Sequence, residues 1–334
     1  METTLRQTQD RPVQPTRTIA ALLVAAVPAL GAAPAHALVT SWPADENSNS
    51  LVPPSVFDGV PQLSISTSTR TNGCSGVLLS TGLHVLTAAH CVPGTATSAT
   101  ATFHTAAGNV VVTGSTFTVK PGWDGNVAHG NDLAIIALDQ KAPVAGYDIY
   151  RSLDLPAGQV VELAGYGRTG NGATGSTLSN SALRWGTNTF DVKDPTIVGE
   201  PYLFDFDNNA VAQDTLGAGS YDFRDPVTGQ RHLGTGNTEV LTASGDSGGP
   251  SFIDGLLAGI HSFIASPGMP FDFDNTPLDG TYGELGGDTR VAFYAGWIDS
   301  VVRPVPEPDT WLLTSAGLLA LLAFVCKRRK SFRP

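Results

Sequence analysis

The chain has 334 residues, with 37 glycines, 23 prolines and 15% charged residues, a composition of many turns and short apolar runs that favours an all-β domain. Its net charge of −11 understates the acidity of the middle: residues 38–303 hold 11 of the 19 Lys and Arg but 26 of the 30 Asp and Glu, a net −15. That surplus excludes nucleic acid and an anionic membrane surface as partners of the central region.

The first segment carries Arg11 and Arg17, then the apolar run Ile19 to Val27, then Ala35-His36-Ala37. A basic start, a short apolar stretch and an A-x-A site describe a secretory signal peptide over residues 1–37, cut after Ala37; a buried helix of the mature fold is the alternative. Residues 38–55 contain Pro43, Pro53 and Pro54 and read as a leader or extended arm. A globular domain over 56–303 follows.

Within it, Leu63-Ser64-Ile65-Ser66 alternates like a strand and Arg70-Thr71-Asn72-Gly73 reads as a turn. Cys74 to Ser80 and Leu83 to Cys91 read as two apolar strands joined at Thr81-Gly82. Antiparallel pairing brings Cys74 close to Cys91, and we expect a disulfide between them, worth about 3 kcal/mol by the loop it closes. A zinc pair would need two further ligands at suitable spacing, and none accompanies it, so no metal is assigned. His90 is then fixed at a strand end by its crosslinked neighbour. Asp132 stands at the mouth of the apolar strand Leu133 to Leu138, either as a turn cap or as the buried acid that fixes a histidine tautomer.

Arg184 to Thr238 is long and rich in Asp, Asn and Gly, and reads as loop. In it, Phe204-Asp205-Phe206-Asp207-Asn208 is echoed by Phe271-Asp272-Phe273-Asp274-Asn275. Alternation puts both aspartates of each copy on one side. The spacing fits no EF-hand loop, and paired acidic hairpin edges are the expectation rather than calcium; no cofactor is implied.

Thr242 to Pro250 embeds Ser247 among Gly245, Gly248 and Gly249. Such a run makes a tight turn that exposes one hydroxyl with backbone N–H groups beside it, which is what a serine nucleophile and its oxyanion require.

Residues 304–334 open with Val305-Pro306-Glu307-Pro308, continue as the 16-residue apolar run Trp311 to Cys326, and end in Lys327-Arg328-Arg329-Lys330. As a helix the run reaches about 24 Å, short of the roughly 30 Å hydrocarbon core, and the basic cluster stays cytoplasmic. This tail resembles the PEP-CTERM sorting signal of Gram-negative bacteria. The resemblance implies an exported protein held transiently in the inner membrane by its C-terminal helix. An exosortase then cuts it, and it is bound for the cell surface or an exopolysaccharide matrix. A permanent single-span anchor is the alternative.

Thr87-Ala88-Ala89-His90-Cys91, Asn131-Asp132-Leu133-Ala134 and Gly245 to Pro250 resemble, in that order, the three signature blocks of trypsin-like (chymotrypsin-family) serine peptidases. The likeness runs from about Val56 to Val302, and includes Val161 to Gly167 and a C-terminal helix around Trp297-Ile298. It implies two six-stranded antiparallel β-barrels with the site in the cleft between them. It also implies Ser247 as nucleophile, His90 as general base then acid, Asp132 as orienting carboxylate, and the N–H groups of Gly245 and Ser247 as oxyanion hole. Leu241 stands where Lys- or Arg-preferring members carry an aspartate at the pocket floor, and Ser262-Phe263-Ile264 where substrate is bound. Ile264 replaces a glycine there, so the expected pocket is apolar or takes small side chains and is not tryptic. Ala243 stands where vertebrate members place a pocket-bracing cysteine.

In the family, the acid before the nucleophile, here Asp246, pairs with a new N-terminal amine. Val56-Phe57-Asp58-Gly59 is the nearest match to that terminus; the alternative is that Asp246 finds another donor. The expected activity is serine endopeptidase action on protein or peptide substrates. A surface-matrix binding module on the same fold, or an esterase using the same three residues, are the rivals.

Overall fold

A computed structural model describes residues 38–41, 56–155, 158–178, 182–217, 233–268, 270 and 272–303, together with 315, 317 and 318. The signal-peptide reading over 1–37 lies outside the described residues, as does the tail from 304 apart from those three positions. Among the described residues no helix is long and apolar enough to cross a membrane.

The first half is built from two four-stranded antiparallel sheets. One runs in the order Thr71–Ser75, Pro61–Ser66, Ser98–Thr105, Gly108–Gly114, and the other in the order Val77–Leu78, His84–Thr87, Ala134–Ala137, Thr116–Val119. Alternation explains the facing: in Pro61–Ser66, Leu63 and Ile65 are buried while Ser64 is exposed. They meet Val77, Leu78, Val85 and Ile136 in one core. The expected turn at Arg70–Gly73 is corrected, because Thr71–Ser75 is already strand and the reversal is made by Thr67–Arg70, closed by Thr67 N donating to Arg70 O at 2.8 Å.

The second half holds a seven-stranded antiparallel sheet in the order Arg184–Phe190, Gln159–Gly165, Pro250–Ile253, Leu256–Ala265, Leu285–Arg290, Tyr202–Asp205, Val192–Lys193. A four-stranded sheet, Gly175–Leu178, Thr169–Asn171, Val39–Thr40, Val240–Leu241, lies with it. Among the described residues the hydrogen-bonded sheets are thus four-, four-, seven- and four-stranded, a mostly-β fold as expected, and these pairings do not themselves divide the strands into two six-stranded barrels. The segment read as loop from Arg184 to Thr238 contains three strands of the large sheet. Its polar residues misled because several are buried there: Asn188 spends its amide on the carbonyls of Asp205 and Val240 at 2.8 and 3.0 Å. Tyr202–Asp205 is flanked on both sides, so the first FDFDN copy does not form an exposed hairpin edge.

Leu38–Ser41, read above as the start of an arm, carries the strand Val39–Thr40 inside this half. Val39–Thr40 pairs parallel with Gly170–Asn171 and antiparallel with Val240–Leu241, and Leu38 and Val39 are fully buried beside Val161, Leu163 and Phe204. The helix Ala295–Val302 closes the body, with Ile298 buried against the first core.

Candidate active site

The strand His84–Thr87 ends in the 3-10 turn Ala89–Cys91, which carries His90. Cys91 is disulfide-bonded to Cys74, with a Cα–Cα distance of 6.2 Å, so the turn is tied to the neighbouring sheet as expected. Asp132 comes from the Gly130–Asn131 turn. Gly130 sits at φ 75° with the Val198 carbonyl 2.0 Å from where a Cβ would stand, so no side chain fits there. Asn131 takes the left-handed φ of 60° that asparagine tolerates, and its N–H donates to Tyr294 Oη at 3.1 Å.

Those two turns bring His90 and Asp132 together. His90 Nδ1 lies 2.7 Å from Asp132 Oδ2, and the His90 backbone N–H donates to Oδ1 at 2.9 Å. Ser262 Oγ donates to the same Oδ2 at 2.6 Å, and Asp132 is 1% exposed. Burial alone lowers the His90 pKa, but the charge of Asp132 and its hydrogen bond together outweigh it, so the value is raised above the ordinary one. With Nδ1 held by the carboxylate, Nε2 is the nitrogen left to exchange a proton.

The Thr242 to Pro250 turn is clamped from the first half. Ser75 Oγ donates to Gly245 O at 3.0 Å, and Ser75 N donates to Ser247 O at 2.9 Å. Gly248, at φ 80°, approaches so closely that a Cβ would lie 2.0 Å from Thr87 Oγ1 and 2.5 Å from Ser75 O. The N–H groups of Asp246, Gly248 and Gly249 are bonded to backbone carbonyls, whereas those of Gly245 and Ser247 are spent on no described partner.

His90 and Ser247 line one cleft of about 680 Å³, walled from the first half by Gly125, Asn126 and Val127 and from the second by Ala243, Ser262, Phe263 and Ile264. Phe263 and Ile264 lie where the pocket was expected. Leu241 does not: it is fully buried, paired with Val39, and packs in the second core instead of lining the cleft. Arg168, Ser176, Leu278 and Asp279 also line it without having been anticipated: Arg168 follows directly on Val161–Gly167, Ser176 lies in the strand Gly175–Leu178, and Leu278 and Asp279 precede the strand Leu285–Arg290.

Asp246 has its partner at last, and it is not Val56. Its Oδ2 accepts from Leu38 N at 2.9 Å and from Ala243 N at 2.8 Å, and Oδ1 accepts from Gly167 N at 2.8 Å. Complete burial pushes its pKa up to about 6 against the lowering pull of those bonds. Phe57 instead stacks on Phe252, 5.3 Å between centroids, in the first half's core.

A second histidine was missed. His261, the polar residue in the apolar run Leu256–Ala265, is 2% exposed and lines the cleft from behind. Its Nδ1 lies 2.9 Å from Asp288 Oδ1, and Ser251 Oγ donates to Asp288 Oδ2 at 2.5 Å. Burial lowers the His261 pKa, and Asp288 and Asp246 more than reverse it. His261→Leu takes the ring partner from the buried Asp288 carboxylate, so it is expected to destabilise the fold by about 3–5 kcal/mol. Scanning calorimetry reads this as a melting temperature lower by roughly 6–20 °C. A raised histidine pKa also fixes the sign with pH. This pair's stabilisation is complete below about 6.5 and is lost as pH rises through the raised value.

The geometry has relatives. The family model described as Trypsin matches residues 52–272. Trypsin zeta of Drosophila melanogaster is 28% identical over 227 residues, covering 65% of this chain and 70% of that protein. Trypsin zeta of Drosophila erecta is equally similar, over 69% of its length. Among solved structures, neuropsin, a serine protease expressed in the limbic system of mouse brain, superposes with a TM-score of 0.52 over 75% of this chain and 97% of its own, at 18% identity, a likeness of fold. The chain belongs to the trypsin family and is a serine-type endopeptidase.

Proposed function

We propose that Ser247, His90 and Asp132 form the catalytic triad of an exported endopeptidase. The observation that carries the reading is the buried Asp132 holding His90 Nδ1 at 2.7 Å on the wall of the cleft that Ser247 also lines. Ser247 Oγ attacks the scissile carbonyl carbon while His90 Nε2 takes its proton. The carbonyl oxygen becomes an oxyanion between the N–H groups of Gly245 and Ser247. His90 returns the proton to the leaving amine as the C–N bond breaks. Water, deprotonated by the same nitrogen, then cleaves the acyl-enzyme ester. The oxyanion donors contribute roughly 3–4 kcal/mol each to transition-state stabilisation.

The primary pocket selects against Lys and Arg. Val127, Ala243, Phe263 and Ile264 give the cleft an apolar wall. Asp279 also lines it, half-buried, where burial raises its carboxyl pKa. Cleavage of a peptide library by the purified enzyme is expected to show apolar or small residues before the scissile bond. A majority of cuts after Lys or Arg overturns this part.

Export follows from the A-x-A site before Leu38, the crosslink at Cys74–Cys91, which suits an oxidising compartment, and the PEP-CTERM-like tail with its exosortase and matrix destination. Cleavage after Ala37 makes Leu38 the mature N-terminus, and its α-amino group then sits at the atom that already donates to Asp246. Signal-peptide removal is thereby the activating cut, with no separate propeptide step.

A further inference from the structure

We propose that Asp205, Asp207 and Asp214 bind a calcium ion in the second half of the molecule, at a site separate from the cleft. Their carboxylate oxygens lie within 4.8 Å of one another, and none of the three lines the cleft. Oxygens bound to one calcium at 2.3–2.6 Å stand at most about 5 Å apart, so one ion reaches all three. An all-oxygen, all-carboxylate set suits a hard cation and not zinc or copper.

The strand builds the site. Alternation along Tyr202–Asp205 and onward sends Phe204 and Phe206 into the second core and turns Asp205 and Asp207 the other way. Asn208 and Asn209 then turn with φ of 51° and 60°. Asp205 Oδ2 accepts from Leu216 N at 2.8 Å, and Asp214 Oδ1 accepts from Gly217 N, which bends the chain back onto the strand. Asp207 Oδ1 accepts from Asn209 N at 2.7 Å and Gly234 N at 3.0 Å.

The other oxygen of Asp207 is the feature that demands a ligand. Asp207 is 0% exposed, and its Oδ2 has neither solvent nor a hydrogen-bond partner. A buried carboxylate oxygen left unpaired costs several kcal/mol, and this one belongs to the group of three. Two further acids surround the set. Asp191 accepts from Asp205 N at 3.3 Å, and Glu239 accepts from the N–H groups of Asp207 and Asn208 at 3.1 and 2.7 Å. Among the described residues no basic side chain pairs with Asp191, Asp205, Asp207 or Glu239.

The echoed copy shows the contrast. Asp272 is buried too, but its Oδ2 accepts from Ser266 Oγ at 2.6 Å and its Oδ1 from Asn275 N at 2.9 Å, so it closes a turn with no oxygen left over. The two runs look alike in sequence, and only the first has an unpaired buried oxygen.

The test uses the purified protein carrying Ser247→Ala to prevent self-cleavage, stripped with EDTA and titrated with calcium chloride. We expect one saturable calcium per chain by calorimetry. At free calcium a hundredfold above Kd, the melting temperature should rise by roughly 5–10 °C. Asp207→Asn and Asp214→Asn should each weaken binding about 10–100-fold, and magnesium should give a smaller shift than calcium. No saturable heat and no melting shift up to about 10 mM calcium overturns the proposal, given that extracellular sites bind near 10⁻⁴–10⁻³ M. So does a calcium response that Asp207→Asn leaves intact, or a response to magnesium alone.

Discussion

His90→Ala is expected to lower kcat by roughly 10⁶-fold, and Asp132→Asn by about 10⁴-fold, in steady-state hydrolysis of a chromogenic peptide. The two losses should not add. Both act through one proton path: without His90 nothing takes the Ser247 proton, and without the Asp132 charge His90 holds the wrong tautomer. The asparagine variant has a second signature. Asp132 Oδ1 and Oδ2 receive three donors, from His90 N, His90 Nδ1 and Ser262 Oγ, and an amide nitrogen placed at Oδ2 meets His90 Nδ1 as an acceptor only in the tautomer that carries the proton on Nε2. The pH profile separates this from simple unfolding. His90 must be neutral to act as base, and its pKa is raised by Asp132, so the acid limb of kcat/KM rises through a value above the ordinary one. In Asp132→Asn that limb should move to lower pH. Ser262→Ala removes one of the three donors and should cost far less.

The N-terminus gives the second large effect. Enzyme beginning at Leu38 should be at least about 10²-fold more active than the same chain carrying Ala37. Asp246→Asn should lose a similar factor, because an unpaired buried charge costs about 3–5 kcal/mol and destabilises the conformation in which the neighbouring Ser247 is held. The pH dependence has a definite sign. An α-amino group with an ordinary pKa of 7.7–8.0 that pairs with Asp246 has its pKa raised. The pair's stabilisation is therefore present below about 8 and lost as pH rises through the raised value. The same amine pulls Asp246 down from the value of about 6 that burial gives it beside an uncharged N–H, so the carboxylate stays ionised at neutral pH. An alkaline limb that disappears when the Leu38 amine is acetylated would identify that group. Equal activity in the chain carrying Ala37 would remove the activation role from signal-peptide cleavage.

Much of the site was legible because its signals are local. Small residues before His90, Gly130 before Asn131-Asp132 and the glycines around Ser247 are where the chain must turn tightly or pack backbone on backbone, and the contacts of Gly130 and Gly248 show why. Cys74 and Cys91 were likewise paired from one hairpin. The rest depends on pairings that no local pattern contains. Leu38 and Asp246 are 208 residues apart, and although an expected cleavage site and an acid in need of a partner were each noted, nothing in the sequence joined them. Leu241 was placed by position, but its facing is decided by its register opposite Val39, which turns the side chain into the core. Strands Arg184–Phe190 and Tyr202–Asp205 were hidden by polar residues that are buried and bonded inside the sheet. His261 was hidden for the opposite reason, as a single charged group in a run whose apolar pattern accounts for the strand without it.

Fluorophosphonate labelling of the purified protein, followed by peptide mass mapping, is the most direct measurement of the central claim. We expect one label per chain, on Ser247, with loss of peptide hydrolysis in step with labelling. Both should be abolished in Ser247→Ala and strongly slowed in His90→Ala. Labelling at another residue, or full hydrolytic activity in Ser247→Ala, would contradict the account.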